Sequence, residues 1–320
     1  MRESKTVRRL LAALCASLVC ALLAAHGGGA QEKKKDAKPE QPLTVKLGAL
    51  VLDSQDKPVG GLGLEDFQLL EDGVPQKIAT LERLEGPQVF GLLVDCSGSM
   101  RDRIGKVIDF GKSIVAGTDA GSEGFVVCFI ASDNIKVMQD VTADKARLAS
   151  AFDDVFVEGG QTAINDALYL AAGHVAKYKQ TQTGPRRYSL VIVTDGEDRN
   201  SFYKTEQVFE KLKEAGARVF VAGLVGGYYQ KGSPEKAKQY MSRLAYETGG
   251  SAHFVKKVSE LPQAAEQILQ EMGAGYVLGY DSTNPKRDGS ARKLQLTVSG
   301  GAGGEQRKVS TADGYVAPKK

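Results

Sequence analysis

The chain has 320 residues, 42% of them apolar, and a formal net charge of +3. That length allows one large domain and a smaller one. Residues 1–30 carry the positive excess and the remainder is neutral, which argues against a nucleic-acid partner or attraction to an anionic membrane surface.

The first thirty residues read as a signal peptide. Arg2, Lys5, Arg8 and Arg9 precede an uncharged apolar run, Leu10–Ala25, and small residues follow up to Ala30. This is a basic segment, an apolar segment and a cleavage site, with cleavage expected after Ala30. The run is short for a membrane span. Leu14 and Val19 precede Cys15 and Cys20, where a lipoprotein signal needs a small residue. The expectation is export to the periplasm or beyond, with no stable span after cleavage. Cys96 and Cys128 then remain. A disulfide is open to an exported protein, but both cysteines sit in or at the end of apolar runs, which favours buried free thiols.

Residues 31–42 are charged and aperiodic, as in a flexible linker. Val45, Leu47, Ala49 and Val51 then alternate with more polar positions, the mark of a half-buried strand. A strand around Phe67–Leu70 runs into Asp72-Gly73, a strong hairpin signal, and Ile78, Thr80 and Leu81 are expected on the returning strand. Residues 43–86 thus form a small β segment.

From 87 to 273 apolar strand-like runs alternate with helix-like segments. Strands are expected at Val89–Val94, Phe125–Ile130, Ser189–Val193, Val219–Leu224 and Ala252–Val255, with a short antiparallel edge strand at Ile135–Met138. Helices are expected over Arg103–Val115, Ile164–Tyr178, Thr205–Ala215, Pro234–Glu247 and Leu261–Met272. The pattern predicts an α/β, doubly wound, mostly parallel sheet with helices on both faces. Residues 274–320 return to β. Neither flank is large enough to bury a core alone, so the two are expected to pack together as a smaller sandwich-like part.

Chemistry concentrates where the first α/β strand ends. Asp95, Ser97 and Ser99 place a carboxylate and two hydroxyls at alternate positions, and Gly98 allows a tight turn. In a doubly wound sheet ligands gather at the carboxyl ends of strands. Asp195 ends a second strand in Thr194-Asp195-Gly196. Thr162 follows Gly159-Gly160-Gln161 before a helix. Two carboxylates and three hydroxyls are hard oxygen donors suited to Mg²⁺, with Mn²⁺ or Ca²⁺ as alternatives. Capping of the next helix by Ser99 or Asp102 explains one loop, not matching donors on three. Phe202, Tyr203, Tyr228 and Tyr229 follow strands that end on the same edge; they are either rim contacts for a partner or packing residues. Glu197, Asp198 and Arg199 are expected to set the rim charge.

In this order the five positions follow the pattern D-x-S-x-S…T…D. The chain resembles a von Willebrand factor A domain with a metal-ion-dependent adhesion site. More narrowly it resembles exported bacterial proteins of acidobacterial type, through Gly63-Leu64-Glu65-Asp66-Phe67, Glu71-Asp72-Gly73-Val74-Pro75-Gln76, Tyr276-Val277-Leu278-Gly279-Tyr280 and Gly314-Tyr315-Val316-Ala317-Pro318. The resemblance implies that the serines and threonine touch a metal, that the aspartates act directly or through water, and that an Asp or Glu of a protein partner completes the coordination. Gln161 departs from the pattern, since many relatives run directly from glycine to threonine.

Enzymatic readings find less support. Gly111-Lys112-Ser113 lacks the first glycine of a phosphate loop, with Lys106 in its place. Ser97 has no glycine two residues before it and is no nucleophile elbow. His174 lies mid-helix, His253 lies in a late strand, and no His/Cys cluster suits zinc. The reading is therefore an exported, non-enzymatic adhesion protein. The alternative is an assembly protein of the cell envelope in which the metal only stabilises the fold.

Overall fold

The computed structural model describes residues 42–55, 57–196, 198–225, 233–300 and 306–319. The expected signal peptide and nearly all of the linker lie outside the described residues. Strand β1 (Thr44–Leu52) buries Val45, Leu47, Ala49 and Val51 on one side, as the period-two pattern dictates. Strands β2 (Phe67–Glu71) and β3 (Val74–Gln76) form the hairpin around Asp72-Gly73. Asp72 and Gly73 both take positive φ, 50° and 81°, which is the backbone such a tight turn needs. The returning strand differs from expectation. Only β3 pairs back, while β4 (Ile78–Arg83), which carries Ile78, Thr80 and Leu81, crosses to another sheet. Pairing of β4 with a strand far downstream is a tertiary event, invisible to local pattern.

Strand β5 (Gln88–Asp95) is buried at every position, as a central strand covered on both faces must be. The strands that follow are β6 (Glu123–Phe129), β7 (Ile135–Thr142), β8 (Arg187–Thr194), β9 (Ala217–Leu224) and β10 (Ala252–Val255). Together they form one six-stranded sheet, β10-β9-β8-β5-β6-β7. It is parallel except for β7, which runs antiparallel at the edge. The turn from Phe129 to Ile135 is too short for a parallel crossover.

Helices α1 (Ile104–Gly117), α2 (Lys145–Ser150), α3 (Ile164–Lys179), α4 (Thr205–Ala215), α5 (Pro234–Thr248) and α6 (Leu261–Met272) cover the sheet. On one face Phe110, Ile114, Leu148 and Ile268 of α1, α2 and α6 pack over Leu92 and Val126. On the other, Leu168, Leu212 and Leu244 of α3, α4 and α5 pack over Leu93 and Val127. Asp144 caps α2 by accepting hydrogen bonds from the Ala146 and Arg147 amides, and Ser233 caps α5 with Pro234 behind it. Gly111, within the false phosphate loop, lies inside α1, and a Cβ there would sit 2.2 Å from the Phe152 ring. Its role is close packing.

The flanks share two antiparallel sheets. Strand β11 (Tyr276–Asp281) lies between β1 and β4, with β13 (Lys308–Thr311) outside β1. Strand β12 (Ala291–Val298) lies between β2 and β14 (Gly314–Val316). Val45, Leu47, Phe67, Leu69, Leu278, Leu296 and Tyr315 make one core between them. Neither flank has this core without the other. Glu71, only 2% exposed, ties them together. It accepts hydrogen bonds from the Tyr280 hydroxyl at 2.8 Å, the Ser282 hydroxyl at 2.7 Å and the Tyr315 hydroxyl at 3.1 Å. Tyr246 of α5 joins this core from the α/β side, 5.1 Å from the Tyr315 ring.

Candidate functional site

Strand β5 ends at Asp95, and the chain turns at once. Asp95 Oδ1 accepts the Ser97 amide at 2.9 Å, the Cys96 amide donates to the Phe129 carbonyl at 2.9 Å, and the Met100 amide donates to the Ser97 carbonyl at 3.0 Å. Met100 is fully buried and anchors the turn. These bonds place the Ser97 and Ser99 hydroxyls 3.1 Å apart. Asp95 and Ser97 are buried and Ser99 is half-buried.

A second loop packs against the first. A Cβ on Gly98 would meet the Gly159 Cα at 3.6 Å. Gly159 and Gly160 both have positive φ, 96° and 90°, a pair of conformations costly for other residues. They bring the chain back to Thr162, which is buried while Gln161 points to solvent. The backbone around Thr162 is held on two sides. Its carbonyl accepts the Arg199 amide at 2.8 Å, and the Ala163 amide donates to the Ile130 carbonyl at 2.8 Å. The inserted Gln161 is thus accommodated outward.

The third loop leaves β8. Asp195 is 6% exposed, and Gly196 turns with φ of 87° where a Cβ would strike the Met241 side chain. Thr194, unnoticed in the sequence, links this loop to the first. Its buried hydroxyl donates to Asp95 Oδ2 at 2.7 Å and accepts the Gly196 amide at 3.1 Å. Two buried carboxylates therefore approach one another. Burial pushes the Asp95 carboxyl up to about 6, the negative charge of Asp195 pushes it the same way, and the Ser97 and Thr194 hydrogen bonds pull it down only in part. Like-charged carboxylates in a low-dielectric site favour either a shared proton or a cation.

The donor set fits a hard divalent cation. Asp95, Asp195, Ser97 and Ser99 offer only oxygen, and the two carboxylates match the charge of Mg²⁺ or Mn²⁺. Among the described residues no three His, Cys, Asp or Glu side chains gather as a metal-holding group, so any cation here relies on hydroxyls as well as carboxylates.

The rim divides. Phe202 is 80% exposed. Tyr203 instead stacks on Tyr169 of α3 at 3.6 Å. Tyr228, Tyr229 and Glu197 lie outside the described residues. Asp198 is not a rim charge. It is half-buried and accepts the Ser201 hydroxyl at 2.5 Å and the Asn165 amide at 3.2 Å, and burial raises its carboxyl. Asp166 completes this clasp by accepting the Phe202 and Tyr203 amides at 2.9 and 2.8 Å and the Ser132 hydroxyl. The only signal for it in the sequence is an acidic residue in the first turn of a helix, a common feature with many explanations.

Cys96 and Cys128 correct the free-thiol reading: they form a disulfide, with Cα atoms 6.1 Å apart. Val94 stands beside Cys128 in the β5–β6 register, so the turn after β5 carries Cys96 back within bridging range. Two apolar runs in a sequence do not reveal that they are adjacent strands.

Ser251, His253 and Glu271 also meet, an arrangement the sequence did not suggest. The Ser251 hydroxyl donates to Glu271 Oε2 and lies 3.1 Å from His253 Nε2, which is 2.9 Å from the same carboxylate oxygen. Both partners use one ring nitrogen, whereas a catalytic relay needs the two opposite ones. The cluster joins β10 to α6. His174 Nε2 lies 2.9 Å from Asp140 Oδ1 and its ring packs 4.7 Å from that of Phe125.

The von Willebrand factor type A domain model matches residues 91–270. None of the curated proteins matches in a sequence search. Among solved structures, proximal thread matrix protein 1 from the mussel byssus is 18% identical with a TM-score of 0.48, over 60% of this chain and 49% of that one. The chain thus spans about half the length of the mussel protein, of which another structure has a zinc-occupied MIDAS motif. BatB from Bacteroides thetaiotaomicron is 18% identical with a TM-score of 0.43, over 58% of this chain and 97% of that one. A von Willebrand factor type A protein from Catenulispora acidiphila is 13% identical with a TM-score of 0.47, over 88% and 76%.

Proposed function

The chain belongs to the von Willebrand factor type A family, and from that premise we propose that it is a non-enzymatic binding protein that engages a protein partner through a divalent cation, preferably Mg²⁺. One observation carries the reading. Asp95 and Asp195, on different loops, are both buried and near enough for the second to raise the carboxyl of the first. Domains of this family generally serve interaction rather than catalysis, which supports the same conclusion.

In this reading the roles divide by donor chemistry. Asp95 and Asp195 supply the charge that holds the cation, and Ser97, Ser99 and Thr162 supply neutral oxygens. Thr194 fixes the orientation of Asp95 by its hydrogen bond, as second-layer partners do in metal sites. Bound there, the cation would offer a coordination position to an Asp or Glu side chain of the partner. Phe202, exposed on a loop held by Asp166, would serve as an apolar contact for the partner. The Cys96–Cys128 disulfide supports export to an oxidising compartment, in line with the signal peptide expected over residues 1–30.

Calorimetric titration of Mg²⁺ and Mn²⁺ into the wild type and Asp95→Ala tests the proposal. The wild type should bind, and the variant should lose at least a hundredfold in affinity while keeping its circular dichroism spectrum. Equal binding by both would refute it. Melting and partner capture with and without EDTA separate adhesion from assembly. A large metal-dependent melting shift with unchanged capture would favour a purely stabilising cation.

A further inference from the structure

The disulfide lies inside the candidate cation site. Cys96 stands between Asp95 and Ser97, two of the donors, and is fully buried. Its partner Cys128 belongs to β6, one residue before the end of that strand. Phe129 and Ile130 continue the same support. The Phe129 carbonyl accepts the Cys96 amide at 2.9 Å, and the Ile130 carbonyl accepts the Ala163 amide, next to Thr162, at 2.8 Å. Successive residues at the end of β6 therefore hold two of the donor loops, and one of the ties is covalent. Backbone pairing of β5 with β8 ends at Val94, one residue before Asp95, whereas pairing with β6 runs through Asp95. The backbone support of the turn thus comes from the β6 side. A turn that carries Asp95 beside a like charge needs such support, because repulsion between the carboxylates favours opening.

We propose that the Cys96–Cys128 bridge positions the donors of the first loop and thereby sets the cation preference of the site, for Mg²⁺ over Ca²⁺. The inference rests on the cation reading above. Mg²⁺ demands near-ideal octahedral geometry, whereas Ca²⁺ accepts a looser and more variable shell. A turn held covalently presents Ser97 and Ser99 in one arrangement, with their hydroxyls 3.1 Å apart. The cost of ordering those donors is then met in folding rather than at each binding event. Without the bridge, Cys96 keeps its backbone hydrogen bond to β6, and the turn gains freedom that only the more tolerant ion can use. A purely structural disulfide would act otherwise. It would constrain the unfolded chain and raise the melting temperature, and it would leave the ratio of the two affinities unchanged.

Calorimetric titration of Mg²⁺ and Ca²⁺ into the full chain compares the wild type with the double variant Cys96→Ala/Cys128→Ala. Mg²⁺ affinity should fall about tenfold, as when support behind metal ligands is lost. Ca²⁺ affinity should fall less, so that the preference for Mg²⁺ drops by at least about threefold. Glu71→Leu, a change in the flank core that keeps the bridge, should retain the wild-type ratio. If the double variant does not fold, reduction of the wild type by a phosphine gives the same comparison. The phosphine takes oxygen from water and becomes its oxide, the S–S bond breaks, and the sulfurs take the two protons as thiols. Reoxidation should restore the ratio. An unchanged ratio with the bridge broken, an equal shift in Glu71→Leu, or a wild type that binds Ca²⁺ as tightly as Mg²⁺ would overturn the inference and leave the cation reading standing. A wild type that binds neither cation would overturn both.

Discussion

Two buried carboxylates, Glu71 and Asp95, differ in how fully their surroundings satisfy them. Glu71 and Asp95 are both nearly or wholly excluded from solvent. Three hydroxyls from the far end of the chain surround Glu71, and burial pushes the Tyr280 and Tyr315 phenols up, so they remain donors. Asp95 receives two donors, the Ser97 amide and the Thr194 hydroxyl, and faces Asp195. The first carboxylate completes a protein network. The second leaves a charge imbalance that a cation would correct. Burial therefore says little about an acid's purpose until its partners are counted.

Four substitutions put this contrast at risk. The largest effect is expected from Glu71→Leu, which takes the acceptor from the buried Tyr280 and Tyr315 hydroxyls and from the half-buried Ser282 hydroxyl and removes the link between the flanks. It should cost about 3–4 kcal/mol in denaturant unfolding and leave metal affinity within twofold of the wild type. A metal affinity that fell with it would mean that the two regions are not separable.

Asp95→Asn should act in the opposite direction on stability. The Asp95 carboxyl titrates at about 6 in the folded protein, against 3.8 for an aspartate free in water. In the metal-free protein its contribution to stability is fully present below pH 3.8 and lost as pH rises through about 6. The whole change is about 3 kcal/mol. Metal-free wild type should therefore lose that increment between about pH 4 and pH 7, and the asparagine variant should show a flatter profile. Saturating Mg²⁺ should offset the loss only in the wild type. Parallel pH profiles for the two metal-free proteins would remove the electrostatic half of the comparison.

Thr194→Val keeps the shape and deletes one donor to Asp95. Metal affinity should fall about tenfold, equivalent to about 1.4 kcal/mol, and Thr194→Ser should recover most of it in the same titration. Failure of serine to rescue would point to packing rather than to orientation of the carboxylate. The smallest stability effect is expected at Phe202. Its exposed ring makes Phe202→Ala neutral within about 0.5 kcal/mol by thermal melting, and the loss should appear in partner affinity alone.

Much of the α/β part was legible because its strands are apolar runs of the right length between amphipathic helices, and both signals are local. The flank β1 was legible for the same reason, through the alternation of Val45, Leu47, Ala49 and Val51. Strand β4 was assigned to the wrong partner. Its residues say that it is a strand, while its neighbour β11 lies beyond the whole α/β insertion. The site divides similarly. Asp95, Ser97, Ser99, Thr162 and Asp195 stand out as oxygen donors in loops after strands or before a helix. Thr194 and Asp166 do not, since a threonine at a strand end and an aspartate in a first helical turn have many ordinary explanations.

Local sequence dictated the periodicities, the turn residues and the kinds of donor atom on each loop, because these depend on residues close together in the chain. Tertiary packing settled which donors are left without partners. Proximity of Cys96 to Cys128, of Thr194 to Asp95, and of Glu71 to Tyr280, Ser282 and Tyr315 depends on strand order and register. Those are set by burial of the whole core, a cooperative property that no short segment encodes.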